Sequence, residues 1–191
     1  MTRRITIVGV GALGSHLVQA LRNEDVVIKI IDFDRVEMKN VASQFHFKGS
    51  VGKKKVEALK QAMQFCYGRK VEIVRNKLTA DNVEQLLGDA DLLVDCLDNG
   101  EGRRLIQAFA HARGVECIHG ALAADGGYGR VIWTESFVAD DGATGEPTCE
   151  DGEFLPFIEV VSSYLALAIQ QYLRQDRKIG FSISPAGVQK I

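Results

Sequence analysis

The chain has 191 residues, of which 46% are hydrophobic and 25% charged, and its formal net charge is −2. This composition excludes a disordered chain, a collagen-like repeat and a coiled coil, and it makes binding of nucleic acid through bulk positive charge a poor hypothesis. The longest uncharged stretch, residues 160–173, is shorter than the roughly 20 apolar residues that a bilayer requires, so no membrane segment is predicted. Because a strand-like run begins almost at residue 1, a signal peptide is not expected, and we predict a cytoplasmic protein.

Apolar runs and helical patterns alternate along the first 120 residues. The predicted strands are Arg4–Val8, Val26–Ile31, Val71–Val74, Leu92–Val94 and Val115–His119. The predicted helices are Ser15–Arg22, Lys53–Cys66, Asn82–Leu87 and Arg103–Ala112. Such alternation predicts an α/β fold with a doubly wound, mostly parallel sheet of the Rossmann type.

The pattern changes after residue 120. A further strand is expected over Gly129–Thr134, followed by a polar, glycine-rich loop over residues 139–153 and a long apolar helix over Leu155–Leu173. A helix this apolar belongs either in the core or at a subunit interface. Since no repeat or linker interrupts the chain, residues 1–191 are predicted to form a single domain.

Cysteines and histidines give little sign of a metal site. Cys66, Cys96 and Cys117 follow apolar patterns and are interpreted as buried thiols. No Cys-x-x-Cys pair is present, so structural zinc is not expected. The four histidines share no ligand spacing, and each is interpreted as structural or solvent-exposed: His16, His46, His111 and His119.

A glycine-rich loop carries the first chemical signal. Gly9, Gly11 and Gly14 follow a predicted strand and open a predicted helix, which allows backbone amides to approach a phosphate at the helix N-terminus. An acidic residue for ribose hydroxyls is expected about 20 residues later, and Asp32 or Asp34 fits that position. The motif predicts a nucleotide but does not identify it, and an NAD-dependent dehydrogenase is one alternative.

Four further motifs, in order along the chain, narrow this choice. The first two are Asp32–Gln44 and Val51–Glu57. The third is Leu93–Asn99, which is followed by Arg103, and the fourth consists of His119–Ala121 and the later segment Thr148–Gly152. Together they resemble the ThiF/MoeB/HesA-type superfamily of ubiquitin-activating-enzyme-like adenylyltransferases. That family has Asp-x-Asp-x-Val, Asn-Leu-x-Arg-Gln, Val-Gly-x-x-Lys and Val-Asp-Cys-Thr-Asp-Asn at corresponding places.

The resemblance implies that Mg-ATP is used to adenylate the C-terminal carboxylate of a small ubiquitin-like carrier of the ThiS/MoaD type, which ends in Gly-Gly. It also implies a role for each matching residue. Asp34 would bind the ribose, Asn40 and Lys55 the phosphates and Asp98 the Mg²⁺, while Arg103 would steady the loop around Asp98 and Cys149 would link to the carrier.

Two of these positions have a plainer interpretation. The run Lys53–Lys55 could be the solvated start of a helix, although cations are unfavourable at that end of the helix dipole and indicate a nearby phosphate. Asp98, followed by Asn and Gly, could serve only to make a turn.

The chain also departs from the family pattern. Ser43 stands where the family has an arginine in Asn-Leu-x-Arg-Gln, so one cation that faces the phosphates is missing. The sequence is not expected to supply the family's N-terminal helix, whose arginine reaches the partner subunit, and it lacks the two zinc-binding Cys-x-x-Cys pairs of many members. Ser43 favours a second hypothesis beside the adenylyltransferase, namely a non-catalytic subunit that binds a nucleotide or partner within a ubiquitin-activating-like complex. The partner is expected to be a second copy, bound through the apolar helix, or a second activating subunit.

Overall fold

The computed structural model describes residues 2–123, 125–138 and 152–191. Within these ranges eight strands form one sheet: β1 Arg4–Val8, β2 Val27–Ile31, β3 Glu72–Val74, β4 Leu92–Asp95, β5 Glu116–Leu122, β6 Gly129–Trp133, β7 Phe181–Ser184 and β8 Gly187–Lys190. The same described residues form five helices: α1 Ala12–Ala20, α2 Lys55–Tyr67, α3 Val83–Leu87, α4 Gly100–Arg113 and α5 Leu155–Gln175. Short 3₁₀ turns span Met38–Ala42, Lys48–Ser50 and Thr134–Ser136.

The strands are arranged in the order β3-β2-β1-β4-β5-β6-β7-β8. Neighbours from β3 to β5 are parallel, and β6, β7 and β8 extend the sheet in antiparallel fashion. In the centre of the sheet Ile7 of β1 is paired with Ile30 of β2 and with Val94 of β4. The prediction of a mostly parallel, Rossmann-like sheet is confirmed, whereas the hairpin of β7 and β8 was not predicted.

Helices cover both faces of the sheet, which explains why its central strands are apolar at nearly every position. Ile5 and Ile7 of β1 point into a core that they share with α1, α2 and α5. Val8 of the same strand and Leu93 of β4 point into a second core that is closed by α3 and α4. Since successive side chains of a strand alternate between faces, each central strand contributes to both cores.

Helix α5 belongs to the core. Its buried face, which includes Leu165 and Ile169, packs against α1 and against β5 and β6. Val160 and Leu167 lie on the opposite side and are exposed. Within the ranges that the structure describes, α5 included, no helix is long and apolar enough to cross a membrane.

Helix starts and one cysteine differ from the predictions. α1 and α4 begin three residues earlier than predicted, directly after Gly11 and after Asn99, whose side chain accepts a hydrogen bond from the first turn. Cys66 was predicted to be buried but is exposed. It lies in the last turn of α2, which is capped by Gly68 with φ of +65°, and the apolar face of this helix is buried only as far as Met63.

His46 lies under the loop that follows β1 and is only 4% exposed. Its Nε2 is 3.2 Å from the carbonyl oxygen of Val10, and since a carbonyl can only accept, Nε2 carries the proton. Its Nδ1 is buried with no hydrogen-bond partner in the described part of the chain. Burial, together with the charge of Lys55, lowers the pKa of His46 to about 4.

The placement of α5 can be tested with two leucines of the same helix. Leu165→Ala removes methyl groups from a packed core, so the free energy of unfolding should fall by about 2–5 kcal/mol. Leu167→Ala, on the exposed side, should change it by no more than about 0.5 kcal/mol. Urea unfolding of both variants checks this, and equal losses would contradict the placement of α5 in the core.

The buried imidazole predicts an acid-sensitive fold. The unfolded chain protonates His46 near pH 6.5 whereas the folded chain does so only near pH 4, so its contribution is fully present above pH 6.5 and is lost as the pH falls toward 4. The loss amounts to about 3 kcal/mol. His46→Gln keeps an N–H donor for Val10 but does not titrate, and should therefore be less sensitive to acid.

Urea unfolding of the parent and of His46→Gln between pH 7 and 4.5 measures the difference. Burial raises the pKa of Asp32, which opposes the effect of His46 at the acidic end, but this contribution is common to both proteins and cancels in the comparison. Parallel pH profiles would show that His46 is not the group responsible.

Candidate functional site

A cavity opens at the carboxyl ends of β3, β2, β1 and β4, where the order of the strands reverses between β1 and β4. Ligands of parallel α/β sheets bind at this type of position. The lining residues come from the segments that follow these four strands and from the first turns of α2 and α4. Six predicted site residues are among them: Gly9, Gly11, Asp32, Asp34, Lys55 and Asp98.

Two glycines of the loop after β1 are required by the fold itself. Gly9 has φ of +89°, and a Cβ there would lie 2.9 Å from the carbonyl oxygen of Cys96. A Cβ on Gly14 would lie 1.9 Å from the carbonyl oxygen of Gly9, so α1 packs directly on the loop. A Cβ on Gly11, by contrast, would come no closer than 3.9 Å to another residue. Gly11 lines the cavity and leaves open space beside its backbone, which a phosphate could approach.

Asp32 holds the loop, and Asp34 is left for a ligand. One carboxylate oxygen of Asp32 accepts the N–H of Val10 at 2.8 Å, and the other accepts the N–H of Asp34 at 2.8 Å. Each oxygen of Asp32 is thus already bonded to the backbone, and burial raises its pKa. The side chain of Asp34 is 49% exposed and lines the cavity, so it is the better placed of the two to bond ribose hydroxyls.

Lys55 differs from the two lysines that precede it. Lys53 donates to the side-chain oxygen of Gln61, and Lys54 donates to a backbone carbonyl of the loop after β2. Lys55 is only 8% exposed, and its Nζ is 3.5 Å from the nearer carboxylate oxygen of Asp34. Of the three lysines, only Lys55 lines the cavity. The run is therefore not simply a solvated helix start, because it places one buried ammonium at the site.

Asp98 lines the cavity from the turn between β4 and α4. The preceding residue, Leu97, is fixed at both of its backbone polar groups. Its N–H donates to Asp95 at 2.9 Å, and its carbonyl oxygen accepts from Nε of Arg103 at 2.8 Å. Arg103 also donates to the carbonyl oxygen of Gly120 at 3.1 Å. It acts on the turn and does not itself line the cavity.

A Mg²⁺ ion fits the chemistry of this lining. In the described ranges no three Cys, His, Asp or Glu side chains come together as a complete metal cage. Mg²⁺, however, is usually held by one or two carboxylates together with phosphate oxygens and water. Asp98 faces the same cavity as the open side of Gly11, so it could supply the protein carboxylate for an ion that arrives with phosphates.

Among the described residues, the predicted site residues Gly14, Asn40 and Arg103 do not line the cavity. Asn40 is buried in a 3₁₀ turn, where its side-chain oxygen accepts the N–H of Glu37 at 2.8 Å. Ser43 is also buried, and its carbonyl oxygen lies 3.1 Å from Nε2 of His16. Cys149 lies outside the described residues. The functional roles of these residues, and of those that line the cavity, stay predictions.

The lining also includes residues that were not predicted as site residues from the sequence. Asn76, Lys77 and Leu78 follow β3, and Glu101 lies in the first turn of α4. Nζ of Lys77 and a carboxylate oxygen of Glu101 are 3.8 Å apart, so these side chains form an ion pair at the site. For Asn76 to Leu78, the sequence feature that could have indicated the site was their position directly after a predicted strand. The carboxyl ends of parallel strands meet at one edge of a sheet, where ligands bind.

Several known proteins resemble this chain. It is 30% identical over 128 residues to the SAMP-activating enzyme E1 of Haloferax volcanii, a match that covers 64% of this chain and 46% of that protein. It is 32% identical over 121 residues to the molybdopterin-synthase adenylyltransferase of Escherichia coli, covering 62% of this chain and 49% of that protein. The chain therefore spans about half the length of the curated relatives that it matches.

A crystal structure of Escherichia coli MccB with ATP shares the fold. The TM-score is 0.78 at 15% identity, and the match covers 99% of this chain and 63% of that one. A family model, that of the ThiF family, matches residues 1–185. The predicted family resemblance is thereby confirmed over almost the whole sequence, and the chain belongs to the ThiF family.

Proposed function

We propose that this protein uses Mg-ATP to adenylate the C-terminal carboxylate of a small ubiquitin-like carrier that ends in Gly-Gly. The observation that carries the proposal is the buried ammonium of Lys55, which lines the same cavity as Asp98 and the open side of Gly11. Membership of the ThiF family and the adenylyltransferase relative support it. We further propose that residues 1–191 act as one adenylation domain.

The reaction joins two anions. An oxygen of the carrier's carboxylate attacks the α-phosphorus of ATP, the bond between the α-phosphorus and the bridging oxygen breaks, and pyrophosphate leaves. Since the nucleophile is already ionised at neutral pH, the site needs no general base. The barrier comes from bringing a carboxylate up to a triphosphate, so catalysis consists of positioning and of neutralising charge.

Each lining residue has a part in this proposal. The backbone amides of the glycine loop and the N-terminus of α1 bind phosphate oxygens, and the ammonium of Lys55 offsets their charge. Asp34 orients the nucleotide through the ribose, and Asp98 holds the Mg²⁺, which would neutralise charge that develops on the phosphates. Arg103 is a positioning residue, because it holds the carbonyl of Leu97 next to Asp98.

Cys149 takes part after adenylation. Its thiolate would attack the acyl carbon of the carrier adenylate, form a thioester and release AMP. Cys149 is expected to react only when a bound carrier is presented to it. A cytoplasmic location belongs to the same proposal, since ATP is supplied there and the described cysteines are free thiols.

A non-catalytic nucleotide- or partner-binding subunit is the second candidate. Ser43 favours it, because a buried neutral residue stands where the family has an arginine, and an arginine aimed at phosphates can contribute roughly 10³–10⁵ to the rate of phosphoryl transfer. In either case we propose that the protein works as a dimer or with a second activating subunit. The exposed Val160 and Leu167 of α5 are the contact surface that we assign to it.

Nucleotide binding can be measured with matched lysine variants. Lys55→Ala and Asp98→Ala should each weaken binding of Mg-ATP by about 10- to 100-fold, since each removes a charged contact worth about 1.5–3 kcal/mol. Lys53→Ala is the control, because its ammonium bonds to Gln61 and not to the cavity. Calorimetry with Mg-ATP, and with NAD in a parallel series, gives the affinities.

Unchanged affinity in both Lys55→Ala and Asp98→Ala would remove these residues from the site. Binding of NAD in preference to Mg-ATP would instead support a dehydrogenase. Binding of Mg-ATP without any exchange of pyrophosphate into ATP, measured with Gly-Gly carriers, would support the non-catalytic subunit.

The role of Cys149 has its own test. With ATP and the cognate carrier, the parent should form an adduct that free thiols cleave. Cys149→Ala should form none and still exchange pyrophosphate, because adenylation precedes the thiol step. Cys66→Ala is the control, since Cys66 is exposed roughly 16 Å from Lys55 along α2. An adduct that persists in Cys149→Ala would show that another group is the acceptor.

A further inference from the structure

A chain of buried polar side chains lies behind the turn that carries Asp98. It joins Asp95 at the end of β4, His119 in β5 and Thr134 in the 3₁₀ turn after β6, all of which are buried. Nδ1 of His119 is 2.8 Å from Oδ2 of Asp95, and Nε2 is 2.6 Å from the hydroxyl oxygen of Thr134. None of the three lines the cavity.

The orientation of the His119 ring is fixed from three directions. An ionised carboxylate only accepts hydrogen bonds, so Nδ1 donates to Asp95. The hydroxyl of Thr134 is the partner of Nε2. The ring of Phe137 stacks on the imidazole with a centroid distance of 3.8 Å and an angle of 6° between the planes. Because the ring is fixed, its Nδ1–H can fix the orientation of the Asp95 carboxylate.

Asp95 links the fixed ring of His119 to the turn that carries Asp98. Its Oδ1 accepts a hydrogen bond from the N–H of Leu97 at 2.9 Å. Its Oδ2 accepts the hydrogen bond from Nδ1 of His119 and lies 3.9 Å from Nε of Arg103. Without the donor on His119, the carboxylate could rotate toward Arg103 and release the N–H of Leu97. The next residue in the chain is Asp98, so the position of its carboxylate depends on the orientation of Asp95.

We infer that Asp95, His119 and Thr134 are positioning residues that set the carboxylate of Asp98 toward the divalent cation that accompanies ATP. This inference rests on the proposed function. Fold stability alone is a poor account of the network, because a buried charge with its partners is often no more stabilising than apolar side chains of the same volume. The hydrogen bonds of the network lead to the N–H of Leu97, in the turn that places Asp98 at the cavity.

A nucleophilic role for the same cluster does not fit. Sγ of Cys117 is 3.5 Å from Nε2 of His119, which gives the order Cys, His and Asp known from thiol enzymes. The sulfur, however, is buried away from the cavity, and its burial raises the pKa of the Cys117 thiol. A buried thiol of this kind is inert, so the cluster acts through geometry.

The test separates a loss of positioning from a loss of stability. Thr134→Val removes the hydroxyl at almost constant shape, Asp95→Asn removes the charge, and Thr134→Ser keeps the hydroxyl. Thr6→Val is the control, since Thr6 is also buried in the sheet and its hydroxyl has no hydrogen-bond partner in the described part of the chain. For each purified protein, calorimetry measures the affinity for ATP over a series of Mg²⁺ concentrations, and thermal unfolding without ligand measures stability.

We expect Thr134→Val and Asp95→Asn to raise the Mg²⁺ concentration for half-maximal enhancement of ATP binding about tenfold, with binding in the absence of Mg²⁺ unchanged. Thr134→Ser should recover the parent value, and Thr6→Val should keep it whatever its stability. If the parent shows a Mg²⁺ dependence that Asp98→Ala removes, but Thr134→Val and Asp95→Asn keep the parent midpoint, the inference alone is overturned. A parent that binds no ATP, or binds it without Mg²⁺ dependence, overturns the proposed function and the inference with it.

Discussion

The carboxylate of Asp32 ties the loop after β1 to the end of β2, and the shape of the cavity depends on this contact. It accepts the N–H of Val10, the residue between the two glycines that line the cavity. The loop can turn so tightly only because Gly9 adopts a positive φ and Gly14 lets α1 pack against it. Both oxygens of the carboxylate that holds the loop are bonded to the backbone, whereas the side chain of Asp34 lines the cavity without such bonds to the described residues and is the one that we propose binds the ribose.

The opposite wall is built in the same way. Val10 donates its N–H to Asp32, and its carbonyl oxygen accepts a hydrogen bond from His46. In the same way, Leu97 donates its N–H to Asp95, and its carbonyl oxygen accepts a hydrogen bond from Arg103. On each wall a buried carboxylate at the end of a strand and a nitrogen donor from another element fix one residue between them. Burying these groups costs solvation, and in the proposed reaction the two fixed walls would need little reorganisation when charge develops between them.

Sequence reasoning reached the parts of this arrangement that are local in the chain. Gly9, Gly11, Asp34, Lys55 and Asp98 were predicted to belong to one site, and the structure places all five around one cavity. Asn76 to Leu78 were missed because their place depends on β3 lying next to β2, which strand order alone decides. The partners of His46 and His119 lie 36 and 24 residues away along the chain, so no local spacing marks either contact. The hairpin of β7 and β8 was missed because each strand has only four residues.

The charge of the cavity bears on the serine at position 43. Among the described residues, the lining contains the carboxylates of Asp32, Asp34, Asp98 and Glu101 but only the ammonium groups of Lys55 and Lys77. Nζ of Lys77 lies within 4 Å of a carboxylate oxygen of Glu101, and Nζ of Lys55 lies 3.5 Å from one of Asp34. Each ammonium is therefore already paired with a carboxylate of the lining. A bare triphosphate would meet repulsion from such a surface. With no arginine at position 43, the proposed reaction would need ATP to enter together with a divalent cation, and Asp98 is the carboxylate that we propose positions this cation.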